Sequence, residues 1–283
     1  MTDDVVTDLD RLLTLLDIET IDTDLYRGQC SVGERQRVYG GQVAAQALVA
    51  AGRTVEPDRF VHSLHAYFMR PGDPSIPIVY DVDRLRDGRS FTTRRVRARQ
   101  RGKAIFTLEA SFHVVEPDGL THQPVPPPAP APDQLPLMST LTQDADGSTS
   151  GWGELHALDF RIQPPSDEDR QAPTLFWFRA SGTVPSDPLT HAAIITYASD
   201  FTLLSNILSK HGRWFGDPDL MLASLDHAMW FHDPHPDTQH WMLYQTTSPA
   251  AGGGRGLGFG RIYDQGGALL VSTAQEGLAR LIG

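Results

Sequence analysis

The sequence predicts an α+β fold of two tandem units, each a helix wrapped by a curled antiparallel sheet. The first observation is a repeat: Met221 to Pro234 follows the pattern of Val61 to Gly72. Both are strand-length, apolar and aromatic, closed by proline, and carry a histidine followed by alanine, His65 and His227. The second is that other pairs repeat in step: Tyr39 to Gln42 with Tyr197 to Asp200, and Arg89 and Arg95 with Arg255 and Arg261. The pairings keep their order and their separations drift by only a few residues, which marks a tandem duplication. The third is the stretch between the repeats, where eight prolines fall from Pro117 to Pro136. Proline lacks a donor and fixes φ, so this stretch should be an extended connector outside either sheet. The expected division is a first unit at 1–116, a connector at 117–170 and a second unit at 171–283.

Taken in order, Val5 to Leu16 has leucines at Leu9, Leu12, Leu13 and Leu16, the spacing of a one-faced helix. Gly40-Gly41 precedes a second helix, Gln42 to Ala51, whose small-residue face lets a sheet wrap closely. Strands are expected over Phe60–Met69, Ile76–Leu85, Ser90–Gln100 and Ala104–Val114, with turns at Asp87-Gly88 and Arg101-Gly102. Leu137 to Arg170 has no decisive pattern. The second unit then repeats the plan: a strand at Leu175–Ala180, a helix over Pro188–Ser209, and a central strand at Leu222–His232. Strands at Trp241–Ser248, Gly256–Tyr263 and Leu269–Gln275 complete it.

A chain of 283 residues with 40% hydrophobic content can bury one large core or two ordinary ones. Its net charge of −11 argues against nucleic acid or an anionic membrane as partner. Cys30 is the only cysteine, which excludes a disulfide framework and thiolate metal clusters. The acidic N-terminus and the absence of an apolar run near ~18 residues lead to the expectation of a cytoplasmic protein with no membrane insertion.

Several strings carry a more specific signal. Arg27-Gly28-Gln29, Val38 to Val43, Tyr67 to Asp73, Leu85 to Gly88, Tyr197 to Asp200, Asp226-His227, Trp230 to His232 and Gln275 to Gly277 resemble those of the acyl-CoA thioesterase II family. They run in order over nearly the whole chain, and the two-unit plan resembles the double hotdog architecture. The resemblance implies hydrolysis of fatty acyl-CoA to free fatty acid and coenzyme A, without cofactor, by a homo-oligomer (dimer or tetramer). It also implies that Asp200, Ser224 and Gln275 hold and activate the water. A thioester is already reactive, so its hydrolysis needs a positioned water, a base and donors aimed at the developing oxyanion, and no covalent nucleophile. The first-half counterparts are Gln42, His62 and Ala110, so the halves cannot run the same chemistry.

Each residue has a plainer reading. Asp200 is a possible helix cap, Ser224 a filler on an apolar strand, and Gln275 a partner for backbone. Two rival functions compete: a hotdog enoyl-CoA hydratase and a non-catalytic acyl-CoA-binding module. The hydratase pattern has an Asp and a His one helical turn apart, whereas Asp200 is followed by Leu204 and Ser205. A metal site at His227, His232, His235 and His240 is disfavoured because strand alternation sends the first two to opposite faces. His65 and His227 read instead as core histidines, with Asp226 as an orienting partner. Gly252 to Gly260 lacks the spacing of a dinucleotide or phosphate loop and reads as a turn and a strongly curved strand. No Gly-x-Ser-x-Gly elbow is present. Eight arginines between Arg84 and Arg101 suit either the phosphates of coenzyme A or a solvated sheet face.

Overall fold

A computed structural model describes residues 6–31, 36–116, 119–138, 156–162, 172–213 and 217–282. Most of the ambiguous 137–170 stretch lies outside them. The first helix, α1 (Asp8–Leu16), starts at Thr7, whose hydroxyl accepts from Asp10 N while the Asp10 carboxylate accepts from Thr7 N. Leu9, Leu12 and Leu16 form its buried stripe. Two short strands follow, β1 (Glu19–Asp22) and β2 (Leu25–Gly28). Then come α2 (Gly40–Gly52), β3 (Arg59–Phe68), β4 (Ile78–Asp87), β5 (Phe91–Gln100) and β6 (Lys103–Val114). The β5–β6 hairpin turns on Arg101 and Gly102, both at positive φ, as a two-residue turn between twisted strands requires.

The second half opens with β7 (Leu158–Ile162), β8 (Thr174–Ala180), α3 (Pro188–Ser199) and α4 (Leu203–Ser209). It continues with β9 (Leu220–Ser224), β10 (Asp226–Phe231), β11 (Met242–Gly252), β12 (Arg255–Tyr263) and β13 (Leu269–Leu281). Two expected elements are broken. The single helix over Pro188–Ser209 is two helices, with Asp200 as the C-cap of the first. The central strand is interrupted at Leu225, whose N–H donates to Glu276 O and whose carbonyl accepts from Phe68 N.

The strands form one antiparallel sheet in the order β1-β2-β4-β5-β6-β3-β10-β13-β12-β11-β8-β7, with β9 also on β13. Read outward from the central β3–β10 pair, both halves use their strands in the same sequence. Both are irregular at the same place: β3 shifts register on β6 between Val61 and Ser63. Its counterpart shifts on β13 between Ser224, opposite Gly277, and Ala228, opposite Ala274. This register corrects the alignment of His65 with His227 by one residue. His65 faces Ala228 across the central pair and is exposed, whereas His227 is buried as Leu64 is. Leu64 is therefore the counterpart of His227, and Val61 rather than His62 that of Ser224. His65 is no core histidine; it lies edge-on to Trp230 on the outer face.

Each half seats a helix in the concave side of its sheet: α2 against β4, β5 and β6, and α4 against β11, β12 and β13. Close approach is achieved in opposite ways. In the first half the helix is small, with Ala44, Ala47 and Ala51 fully buried, under large residues such as Arg94 and Val96 on β5. In the second half the strand is small: a Cβ at Gly256 would strike Ile207, and one at Gly258 would lie 3.0 Å from Leu203 O. The glycines of β12 are thus the floor for α4. Helix α3 packs along α2, and a Cβ at Gly41 would strike the carbonyl of Tyr197.

Among the described residues the connector makes one isolated β-bridge to the sheet, from Leu137 to Arg161. It is strapped over the outer face of the second half, where Ala129 and Leu135 pack with Trp177, Leu243 and Tyr263. Trp177 Nε1 donates to Pro130 O at 2.9 Å, and Gln123 donates to Gly267 O and accepts from Leu269 N.

Candidate active site

The helix break and the strand break meet. Asp200 sits at the end of α3, 8% exposed, because its backbone leaves the helix while its side chain points into the core. Ser224 is the last residue of β9, beside the interruption at Leu225. Gln275 is fully buried on β13, in alternation with Val271 and Thr273. The structure brings these three together. Ser224 Oγ donates to Asp200 Oδ1 at 3.0 Å, and Gln275 Nε2 donates to the same oxygen at 2.5 Å. A buried carboxylate is costly unless its acceptors are used, and here two polar side chains from two strands converge on one oxygen.

The first half supplies the opposite wall. A Cβ at Gly40 would lie 2.7 Å from Asp200 Oδ2 and 2.8 Å from the Phe68 ring. Only a glycine lets the start of α2 approach this closely. Gly40 is the first residue of α2, so the N-terminal end of that helix lies beside the carboxylate. Tyr39 fixes the junction, donating to Tyr197 O at 2.8 Å with the two rings edge to face.

Behind the carboxylate lies a buried polar chain. His227 is fully buried, and its Nε2 is 2.8 Å from Ser199 Oγ. Burial pushes its pKa down, while Asp200, Asp226 and Gln275 pull it back up. The expected orienting partner, Asp226, is occupied otherwise: its Oδ1 accepts from Glu276 N at 2.6 Å, pinning β10 to β13. Ser199 was not singled out in the sequence, although it immediately precedes Asp200 in the repeated string.

The first-half counterparts are tied down locally. Gln42 donates to Gln29 O at 3.0 Å and accepts from Ser31 N at 3.3 Å, fixing the chain after β2 without crossing to the other half. Ala110 is buried and offers no polar atom. The arginine cluster is largely engaged as well. Arg94 is 1% exposed and bonded to Thr54 and Asp87, and Arg84 forks onto Asp24. Arg95 pairs with Glu109, Arg97 and Arg99 with Asp81, and Arg101 with Asp73. The first three are cross-strand ion pairs of an outer sheet face, and the last ties the β5–β6 turn to the loop before β4. Among the described residues no group of three or more His, Cys, Asp or Glu is placed to hold a metal ion, and no helix is long and apolar enough to cross a membrane.

Comparison with known proteins gives the fold and the family. A protein of known structure from Alicyclobacillus acidocaldarius described as having a hot dog fold superposes with a TM-score of 0.78 at 20% identity, covering 96% of this chain and 99% of that one. An acyl-CoA thioesterase II from Mycobacterium marinum superposes with a TM-score of 0.82 at 40% identity, covering 95% and 98%. The molecule is thus a hotdog-fold hydrolase of thioesters. The family model for the acyl-CoA thioesterase N-terminal domain matches residues 31–113, and that for acyl-CoA thioesterase matches residues 168–278. Acyl-coenzyme A thioesterase 8 of Mus musculus is 41% identical over 95% of this chain and 88% of its own length. Acyl-CoA thioesterase 2 of Haemophilus influenzae is 38% identical over 96% and 98%. The chain belongs to the acyl-CoA thioesterase family and is an acyl-CoA thioester hydrolase.

Proposed function

We propose that this enzyme hydrolyses fatty acyl-CoA through a water held and activated by Asp200, Ser224 and Gln275. The observation that carries the reading is the convergence of Ser224 Oγ and Gln275 Nε2 on Asp200 Oδ1. The two donors fix the carboxylate's plane, so that it takes a proton from a water in a set direction as that water attacks the thioester carbon. The tetrahedral intermediate then collapses, expelling the coenzyme A thiolate and leaving the free fatty acid. The second N–H of Gln275 also holds the water or the oxyanion, and Ser224 Oγ, whose hydrogen lies on Asp200, accepts from the water.

The reading extends to architecture. Residues 1–116 and 171–283 are two hotdog units of a double hotdog, with 117–170 as connector, and only the second unit supplies the water-activating residues. The shared strand order and the matching irregularities of β3 and β9–β10 support it. The double units assemble as a dimer or tetramer.

Release of free thiol from acyl-CoA substrates of graded chain length tests the mechanism. Asp200→Asn keeps the shape and the hydrogen-bond acceptor but loses the base, and should lower kcat roughly 10² to 10⁴-fold with an unchanged melting temperature. Activity within a few-fold of wild type in a folded variant removes Asp200 from the mechanism.

A further inference from the structure

Gln275 stands between two groups that decide which way its amide points. Its Nε2 donates to Asp200 Oδ1 at 2.5 Å; the reverse orientation would press an amide oxygen against a carboxylate oxygen. Oε1 is therefore turned away from Asp200, and it is buried without a partner of hydrogen-bond geometry. His227 Nδ1 is buried in the same condition, on the adjacent strand β10, one step along the ladder from the Ala228–Ala274 pair. Two such atoms left unmatched in a core are costly, and one N–H···O contact between them would satisfy both.

We propose that His227 is a positioning residue for Gln275, its Nδ1–H donating to Gln275 Oε1 while Ser199 Oγ–H donates to its Nε2. The inference rests on the assignment of Gln275 to the site. Every hydrogen in the chain then points one way, from Ser199 through His227 and Gln275 to Asp200, and ends on the carboxylate. A neutral imidazole carries one N–H, so the chain requires the Nδ1–H form. Burial keeps the ring neutral. Ser199 Oγ also lies 2.9 Å from Thr196 O, and the tautomer decides between these partners: with Nδ1 protonated, Nε2 must accept. His227 thus locks the amide so that its donor side stays on Asp200.

Nitrogen-15 spectra of histidine-labelled enzyme test the tautomer directly, with His227→Asn identifying the signal. An Nδ1–H imidazole is expected; an Nε2–H imidazole overturns the proposal. Kinetics test its purpose. His227→Leu should lower kcat roughly 10 to 10²-fold with KM little changed, as a misplaced group does. His227→Asn, which keeps an N–H near the Nδ1 position, should recover most of that loss. In a Gln275→Ala background His227→Leu should cost nothing further, whereas losses that simply multiply would sink the idea. If His227→Leu fails to fold, Ser199→Ala takes its place: the ring stays, its tautomer is released, and kcat falls several-fold. Gln275→Ala alone separates the two levels of argument. Full activity there removes the three-residue site, while a large loss there with none in His227→Leu removes only the positioning role.

Discussion

At the scale of single residues, the two halves answer the same position with different chemistry, and substitution should show it. Gln275→Ala deletes an amide bonded to Asp200 and should lower kcat about 10² to 10³-fold, the range for one well-placed donor. Gln42→Ala removes two bonds to the backbone at Gln29 and Ser31, so its cost of about 1–3 kcal/mol falls on stability and not on turnover. Steady-state kinetics beside urea titration separates the two; a reversed pattern would mean that the active half is misassigned. Gly40 gives a third test. Gly40→Ala brings a methyl to 2.7 Å of Asp200 Oδ2, so kcat should fall by at least tenfold although no functional group is lost. The nomination of Asp200, Ser224 and Gln275 was legible in the sequence only through family resemblance, since the three lie on separate elements and no local spacing joins them. Ser199 and the roles of Gly40 and His227 were not legible. A buried polar chain is assembled by tertiary packing, and a serine or glycine in it looks like any other.

At the scale of elements, turns and strands were readable because their chemistry is local. Arg101-Gly102 marked a hairpin, and both residues take the positive φ that such a turn needs. The break at Asp200 was not readable, since Phe201 and Thr202 carry neither the glycine nor the proline that usually ends a helix. Strands β1 and β2 were missed because four residues are too short for a pattern, and β1 is exposed throughout. The glycines of β12 do more than relax a curved strand: they are the floor of α4. Gly258→Ala should therefore lift α4 from the sheet and cost about 1–3 kcal/mol, measured by urea unfolding. Because α4 begins three residues after Asp200, kcat should fall with it. Unchanged stability would mean that α4 is free to yield.

At the scale of the whole molecule, the buried histidines set a pH limit. His191 and His227, both buried, and the half-buried His62 have pKa values lowered chiefly by burial. Below about pH 6.5 the unfolded chain binds protons that the folded one refuses, so stability falls as pH drops through that value and is fully present above it. The melting temperature at pH 5 should therefore lie below that at pH 7; an equal or higher value would show that other groups compensate. The repeated strings point to a duplication but not to its register, because a histidine-alanine pair recurs one residue out of phase with the inward-facing positions. The central pairing of β3 with β10 has a consequence for synthesis. The ribosome completes β3 long before β10, and at typical elongation rates the intervening residues take roughly 10 to 30 s to appear. Throughout that interval a nascent first half has an open edge along β3, the kind of surface on which another nascent chain can add a strand. The order of translation therefore opposes the order of assembly, and the seam that makes the finished enzyme continuous is the place where a half-made one is most exposed to its neighbours on a polysome.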